Sequence, residues 1–222
     1  QRLPSFFDLV VVDAPCSGSG LFRKDPLAVS EWSPGNVDLC SQRQERILAD
    51  VLPCLKPGGI LIYSTCSYSE KEDELIASWL ISELPVTGIR LLAGNDWGLV
   101  ETGSTDGKAW GYRFYPDKVK GEGFFLAVFQ KKAGFQGAQR YDTLPKKGKE
   151  EGFKSCKRLH AKQLPEVSRW LAEPDTFDFF VKPNGEVIAF VSNQLNDLRI
   201  LDNTLSAKGL GLEMGEFKGN DF

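Results

Sequence analysis

The sequence predicts an α/β fold in which a mostly parallel sheet is followed by a small α+β domain. The run Phe6–Val12 is short, apolar and rich in β-branched residues, which is typical of a buried parallel strand. A helical pattern over Asn36–Leu55 and a second apolar run, Ile60–Tyr63, follow it. Strand, helix and strand in this order indicate a parallel sheet. The polar stretch 134–154, rich in glycine and lysine, is expected to link this part to residues 155–222.

The first helix is predicted from the spacing of its apolar residues. Positions such as Val37, Leu48 and Leu52 recur at helical intervals over Asn36–Leu55, so one face should pack on the sheet. The segment Lys56–Gly59 contains a proline and two glycines and is expected to end this helix. The residues from Cys16 to Ser33, before the helix, are expected to form a loop.

A second helix and two weaker strands complete the first domain, which should cover residues 1–133. Ser69–Leu84 is the predicted helix, with Ser69 as its cap and acidic residues such as Glu72 near its positive end. Leu99–Thr102 and Phe124–Lys131 are expected to pair as antiparallel strands at the edge of the sheet.

The remaining residues predict a small α+β domain. Cys156–Leu171 is expected to be helical. Phe177–Val191 is expected to form a hairpin around the turn signal Pro183–Gly185. Two short strands are predicted at Leu198–Leu201 and Leu210–Glu216.

Composition excludes several classes of protein. With a net charge of -3, the chain would need a local basic patch to bind a nucleic acid. No apolar run has the length of a membrane span, so we expect no membrane partner. The five cysteines include no CxxC pair and there is a single histidine, which argues against a disulfide framework and against a metal site. These features favour a reducing, cytoplasmic setting.

Two cysteines occupy equivalent places in the predicted sheet. Cys16 follows the first strand in the segment DAPCSGSG, and Cys66 follows the second strand in STCS. The carboxyl ends of neighbouring parallel strands meet at one edge of a sheet, so both thiols and Asp13 should converge there. A lone cysteine is usually a small buried hydrophobic residue. Here the polar and glycine-rich flanks of both cysteines favour a chemical role.

Four sequence segments resemble those of the Sun/Fmu family of RNA 5-methylcytosine methyltransferases, bacterial ribosomal-RNA branch. They are DAPCSGSG, the RKDP of Arg23–Pro26, LKPGGILIYSTCS, and the RFYPDKVKGEGFF of Arg113–Phe125. The resemblance covers about residues 6–132. Residues 155–222 resemble, more loosely, an extra domain that follows the catalytic domain in that branch. The implied fold is the C-terminal half of a Rossmann-like methyltransferase sheet.

The resemblance also implies a mechanism. The thiolate of Cys66 would add to C6 of a cytosine in RNA, which activates C5 to accept a methyl group from S-adenosylmethionine (SAM). Asp13 would hold the ring and, with Pro15, lie beside the cofactor. Cys16 would assist release of the methylated base. The target base must leave its stack to reach such a site.

The family's main cofactor site is a glycine-rich loop that precedes these segments, so we expect it upstream of residue 1, in an N-terminal half that would act as a partner. Asp117 stands where many members have a histidine. The basic residues expected to contact RNA phosphates, although they could be ordinary surface charge, are Arg23, Lys24, Arg113, Lys118 and Lys120.

Four other interpretations can be compared with this one. A cysteine phosphatase needs Cys-x5-Arg, but Arg23 lies one position too far from Cys16. Redox chemistry would favour a CxxC pair, which is absent. A catalytically silent RNA-binding module, or a methyltransferase acting on transfer RNA, is also compatible with the sequence.

Overall fold

The computed structural model describes residues 3–94, 96–104, 107–134, 152–205, 209–219 and 222. The chain divides into two compact units, Gln1–Leu144 and Pro145–Phe222. Most of the expected linker, residues 135–151, lies outside the described residues.

The first unit is built on a mixed sheet of six strands among its described residues. The strands are β1 (Phe7–Asp13), β2 (Leu55–Thr65), β3 (Val86–Ile89), β4 (Val100–Gly103), β5 (Trp110–Phe114) and β6 (Phe124–Lys131). Their order is β1-β2-β6-β5-β4, and β3 also pairs with β6. β1 and β2 are parallel, as predicted, whereas the other pairs are antiparallel.

The predicted pairing of Leu99–Thr102 with Phe124–Lys131 is wrong. β4 pairs with β5, a strand that the sequence analysis did not identify, and β5 separates β4 from β6. β6 lies beside β2, where Phe125 and Phe129 are fully buried. The apolar character of β6 therefore reflects a central position and not an edge.

Three helices accompany the sheet in the described part of this unit: α1 (Pro26–Glu31), α2 (Pro34–Val51) and α3 (Glu74–Glu83). α1 interrupts the segment expected to be a loop. Its first turn is capped by the side chain of Asp25, which accepts a hydrogen bond from the backbone N–H of Leu27 at 2.9 Å.

Both longer helices are shorter than predicted. α2 ends at Val51 because a 3-10 turn containing Pro53 follows, and the glycines expected to stop the helix lie inside β2. α3 begins at Glu74, after a 3-10 turn over Glu70–Glu72, and Ser69 makes no side-chain cap.

The core of the first unit includes residues from α2, α3, β2 and β6. Leu48, Leu61, Tyr63, Leu80 and Phe129 are fully buried in one cluster. The same cluster includes Val12 and Tyr63, so it also packs against the carboxyl ends of β1 and β2.

The second unit carries a four-stranded antiparallel sheet in its described residues. Its strands, in the order β10-β9-β8-β7, are β7 (Lys157–Arg158), β8 (Phe177–Val181), β9 (Glu186–Val191) and β10 (Leu212–Glu216). The helices are α4 (Leu164–Ser168) and α5 (Leu195–Thr204). The predicted hairpin is confirmed as β8 and β9, and the predicted last strand as β10.

Two predictions in this unit are wrong. Leu198–Leu201 belongs to helix α5, where Leu195 and Leu198 pack on an aromatic cluster that includes Phe180. Within Cys156–Leu171, Lys157–Arg158 forms β7, and the α-helix α4 begins only at Leu164. Pro165 therefore lies in the first turn of a helix, where proline is tolerated, and not in a helix interior.

Candidate active site

The thiols of Cys16 and Cys66 meet at the carboxyl ends of β1 and β2. Parallel pairing aligns Asp13 with Ser64, so each cysteine leaves its strand at the same level of the sheet. Their Sγ atoms are 3.0 Å apart. The structure thus brings together the two thiols that the strand order predicts to be close.

Asp13 lies at the same edge and is exposed to solvent. Its Oδ1 accepts a hydrogen bond from Ser64 Oγ at 3.0 Å. Asp13, Pro15 and both cysteines line an open cavity of about 820 Å³. The other lining residues are Ala14, Gly18, Leu21, Arg43, Ile47, Glu122, Gly123 and Phe124.

The two thiols differ in acidity. The hydrogen bond with Cys16 lowers the pKa of Cys66 to about 7, although burial opposes the shift. The same hydrogen bond, together with burial, raises the pKa of Cys16. Cys66 is therefore the thiol that ionises near neutral pH, and thiolates are the nucleophilic form.

A helix end does not explain this acidity. The predicted helix over Ser69–Leu84 would bring its positive end near Cys66, but the α-helix begins only at Glu74. The carboxylates of Asp13 and Glu72 in fact raise the pKa of Cys66. The hydrogen bond with the neighbouring thiol is the largest cause of the low pKa, and a hydrogen bond from the backbone of Cys66 itself adds to it.

Glycines allow the two cysteine loops to approach each other. Gly18 has a φ of +74°, a conformation that side chains rarely adopt. A Cβ on Gly20 would lie 2.6 Å from the carbonyl oxygen of Cys66 and 2.5 Å from that of Gly123. The absence of a side chain at Gly20 therefore allows close packing against protein backbone.

A buried polar group below the thiols was not anticipated. The side chain of Glu72, expected at the exposed start of a helix, is fully buried and accepts hydrogen bonds from Ser17, Gln44 and Ser67. Glu72 follows Cys66 by six positions, a spacing that in sequence alone carries no distinctive signal. Arg43, on α2, also lines the cavity and was not identified from the sequence.

Arg113, expected to contact RNA phosphates, does not have a free guanidinium. It is 7% exposed, and its Nε and Nη2 donate to the two carboxylate oxygens of Glu74, at 2.7 and 2.5 Å. Its Nη2 is also 3.1 Å from Oδ2 of the buried Asp73. We therefore assign Arg113 a structural role, because its charge is already neutralised inside the protein.

The other four expected RNA contacts, Arg23, Lys24, Lys118 and Lys120, are exposed. Arg23 donates to the carbonyl of Gly121 at 2.6 Å, and the Nζ of Lys118 lies 6.0 Å from the ring centroid of Tyr115. Tyr115 in turn stacks on Tyr68, two residues after Cys66, with ring centroids 5.8 Å apart. These residues remain candidates for contacts to a polyanion.

Within the described ranges, no three His, Cys, Asp or Glu side chains are grouped so as to hold a metal ion. The same residues contain no helix that is long and apolar enough to cross a membrane.

A family profile described as "16S rRNA methyltransferase RsmB/F" matches residues 1–130. The chain belongs to this family. The family assignment confirms the resemblance drawn from the four sequence segments, and the first unit has a Rossmann-like methyltransferase fold.

Two curated relatives match more than half of the chain. A "Ribosomal RNA small subunit methyltransferase F" of Pectobacterium carotovorum subsp. carotovorum (strain PC1) is 35% identical over 136 residues, which is 59% of this chain and 27% of that protein. The protein of the same name from Klebsiella pneumoniae (strain 342) is 35% identical over 153 residues, 68% of this chain and 30% of its own length. The chain therefore spans less than a third of these relatives.

A solved structure described as "Crystal Structure of PH0851" superposes with a TM-score of 0.50 and 30% identity. The match covers 58% of this chain and 27% of that one.

Proposed function

We propose that the protein containing this chain transfers a methyl group from SAM to C5 of a cytosine in RNA, with Cys66 as the covalent nucleophile. The observation that carries the proposal is the pair of thiols 3.0 Å apart at the carboxyl ends of two parallel strands. The opposite pKa shifts of the two thiols give them different roles.

Cys66 starts the reaction. Its thiolate attacks C6 of the cytosine and forms a carbon–sulfur bond, which moves electron density to C5. SAM, when bound, supplies the electrophilic methyl group. C5 then loses its proton to a base, and the electron pair of the broken C–H bond restores the ring double bond as the Cys66 sulfur leaves.

Cys16 serves the second half of this sequence. It is protonated at neutral pH because burial and its hydrogen bond to Cys66 raise its pKa. A protonated thiol next to the leaving sulfur stabilises the thiolate that is expelled. Asp13, at the mouth of the same cavity, would hold the cytosine ring.

The residues present fit one end of the cofactor. Asp13 and Pro15 line a cavity at the carboxyl ends of parallel strands, which is where open α/β sheets bind their ligands. They would lie against SAM, while an N-terminal half of the protein would supply the larger part of its site. Residues 1–222 alone are expected to bind SAM weakly in calorimetry.

The RNA is proposed to be ribosomal because the relatives are named as methyltransferases of the small ribosomal subunit. Transfer RNA is the second candidate substrate. The proposed phosphate contacts are the exposed side chains of Arg23, Lys24, Lys118 and Lys120. Arginine and lysine side chains commonly donate to phosphate oxygens in complexes with nucleic acids.

The test is methyl transfer by the whole protein. Incubation with SAM and small-subunit ribosomal RNA should produce 5-methylcytosine, identified by nucleoside mass spectrometry. Unmethylated transfer RNA serves as the comparison substrate. Absence of 5-methylcytosine with both RNAs, despite tight RNA binding, would favour the silent RNA-binding interpretation over the enzyme.

A further inference from the structure

We propose that Glu72 is a positioning residue that holds both cysteine loops with a single carboxylate and so sets the separation of the two thiols. The consequence for catalysis rests on the function proposed above. The positioning itself can be measured without RNA or cofactor.

The carboxylate of Glu72 receives hydrogen bonds from both loops. Its Oε1 accepts from the backbone N–H of Ser17 at 2.7 Å, and its Oε2 accepts from the Oγ of the same serine. Oε2 also accepts from Ser67 Oγ at 2.7 Å. Ser17 directly follows Cys16 and Ser67 directly follows Cys66, so one side chain joins the residues next to the two thiols.

Helix α2 extends the same contact. The Nε2 of Gln44, itself fully buried, lies 3.3 Å from Glu72 Oε1 and 3.1 Å from the carbonyl oxygen of Pro15. Pro15 directly precedes Cys16. The loop that carries Cys16 is therefore held on both sides of the cysteine.

The environment of Glu72 indicates a purpose beyond stability. Its side chain is fully buried, and the donors described above are neutral. Burying a carboxylate is costly, and an apolar residue of similar size would often serve stability as well or better. The side chains of Ser17 and Ser67 belong to the two cysteine loops, and Gln44 is itself hydrogen-bonded to the loop of Cys16. We infer that the carboxylate is placed to hold these loops together.

The thiol separation can be tested by oxidation in the whole protein. Diamide removes two electrons and two protons from a pair of thiols, which become a disulfide as the diamide is reduced. Thiols 3.0 Å apart should form the Cys16–Cys66 disulfide rapidly, and peptide mapping by mass spectrometry identifies it. Loss of positioning lowers the effective concentration of one thiol at the other, so Glu72→Ala should slow this disulfide by about tenfold or more.

Two further variants distinguish the positioning of the thiols by Glu72 from a general loss of structure. Glu72→Gln keeps a polar side chain that can bond to both serines, so it should recover most of the rate. Glu70→Gln changes an exposed carboxylate in the same turn and should leave the rate unchanged. In the whole enzyme, Glu72→Ala should lower kcat for methyl transfer more than it changes KM for RNA.

The disulfide rates of these variants test the positioning role of Glu72 directly. An unchanged disulfide rate in a folded Glu72→Ala protein overturns it. If that variant does not fold, Ser67→Ala removes the side-chain hydrogen bond to the Cys66 loop, and Ser17→Ala removes one of the two hydrogen bonds from Ser17. Unchanged rates in both variants would overturn the proposal equally. A slowed disulfide in Glu72→Ala, together with full methyltransferase activity in Cys66→Ala, would support the positioning but refute the proposed function.

Discussion

Strands β1 and β2 run side by side and each ends in a cysteine loop, yet they have very different surroundings. β1 pairs only with β2 in the described structure, and its Leu9 and Val11 are 52% and 60% exposed. β2 is paired on both sides, and its Leu61 and Tyr63 are fully buried.

The difference shows that equivalent positions in a sheet need not give equivalent side chains. Cys66 leaves a central strand and has a lowered pKa, whereas Cys16 leaves an edge strand and has a raised pKa, because the hydrogen bond between the two thiols shifts the two values in opposite directions. The geometry is close to symmetric, but the chemistry is divided between the two strands.

The largest expected effect separates the two thiols in the whole enzyme. Cys66→Ala removes the proposed nucleophile and should lower methyl transfer on the order of a thousandfold or more, with no covalent RNA adduct. Cys16→Ala leaves the adduct able to form but slow to resolve, so a protein–RNA complex should persist on a denaturing gel. If Cys66→Ala accumulates the complex and Cys16→Ala does not, the two roles are reversed.

A second prediction concerns the buried ion pair between Arg113 and Glu74. Arg113→Ala leaves the buried carboxylate of Glu74 without its cation, so it should lower the free energy of unfolding by about 3–5 kcal/mol. Urea unfolding monitored by circular dichroism measures this loss. Arg90→Ala, which breaks an exposed pair with Glu101, is the matched control and should leave the midpoint nearly unchanged. Equal effects of the two substitutions would refute the structural role of Arg113.

A third prediction follows from the two pKa shifts. Alkylation of Cys66 by iodoacetamide should increase as pH rises through about 7, because the thiolate forms above its pKa. Cys16 should react little over the same range, since its raised pKa keeps it protonated. Peptide mass spectrometry distinguishes the two sites.

The variant Cys16→Ala sharpens this test. It removes the hydrogen bond that lowers the pKa of Cys66, so the alkylation midpoint should move upward. Cys40→Ala removes a cysteine outside the pair and should leave the midpoint where it was. A midpoint that is the same in all three proteins would mean that the neighbouring thiol does not control Cys66.

The smallest expected effect lies on β1 itself. Val11 is exposed whereas the adjacent Val12 is 7% exposed, so Val11→Ser should change the free energy of unfolding by less than about 0.5 kcal/mol. Val12→Ser, which places a hydroxyl in the core, should cost about 1–3 kcal/mol. Denaturant unfolding of both variants gives the comparison, and similar losses would show that β1 is buried on both faces in solution.

The same exposed face of β1 should influence association. Open strand edges with apolar side chains recruit partners. Residues 1–222 are therefore expected to self-associate or to bind an N-terminal half of the same protein, and Val11→Lys should weaken that association in sedimentation experiments. Unchanged association in Val11→Lys would direct attention to another surface.

Sequence alone determined the parts of this protein that depend on local pattern. The apolar runs predicted β1 and the second half of β2, and parallel pairing then predicted that Cys16, Cys66 and Asp13 would meet. The turn signal before β9 predicted the hairpin of the second unit. These features could be inferred because residues close together in the sequence determine where a strand forms, where it ends and where a turn follows.

Only the tertiary structure decided which charged residues are buried and which strands are neighbours. Glu72 and Arg113 look like surface residues in sequence, but their partners are distant: Ser17 is 55 residues from Glu72, and Glu74 is 39 from Arg113. β5 intervenes between β4 and β6 for a similar reason, since its place depends on β6 as a partner. A charge can be buried only when donors or counter-charges from other parts of the fold surround it. The spacing of residues along one segment does not identify those partners.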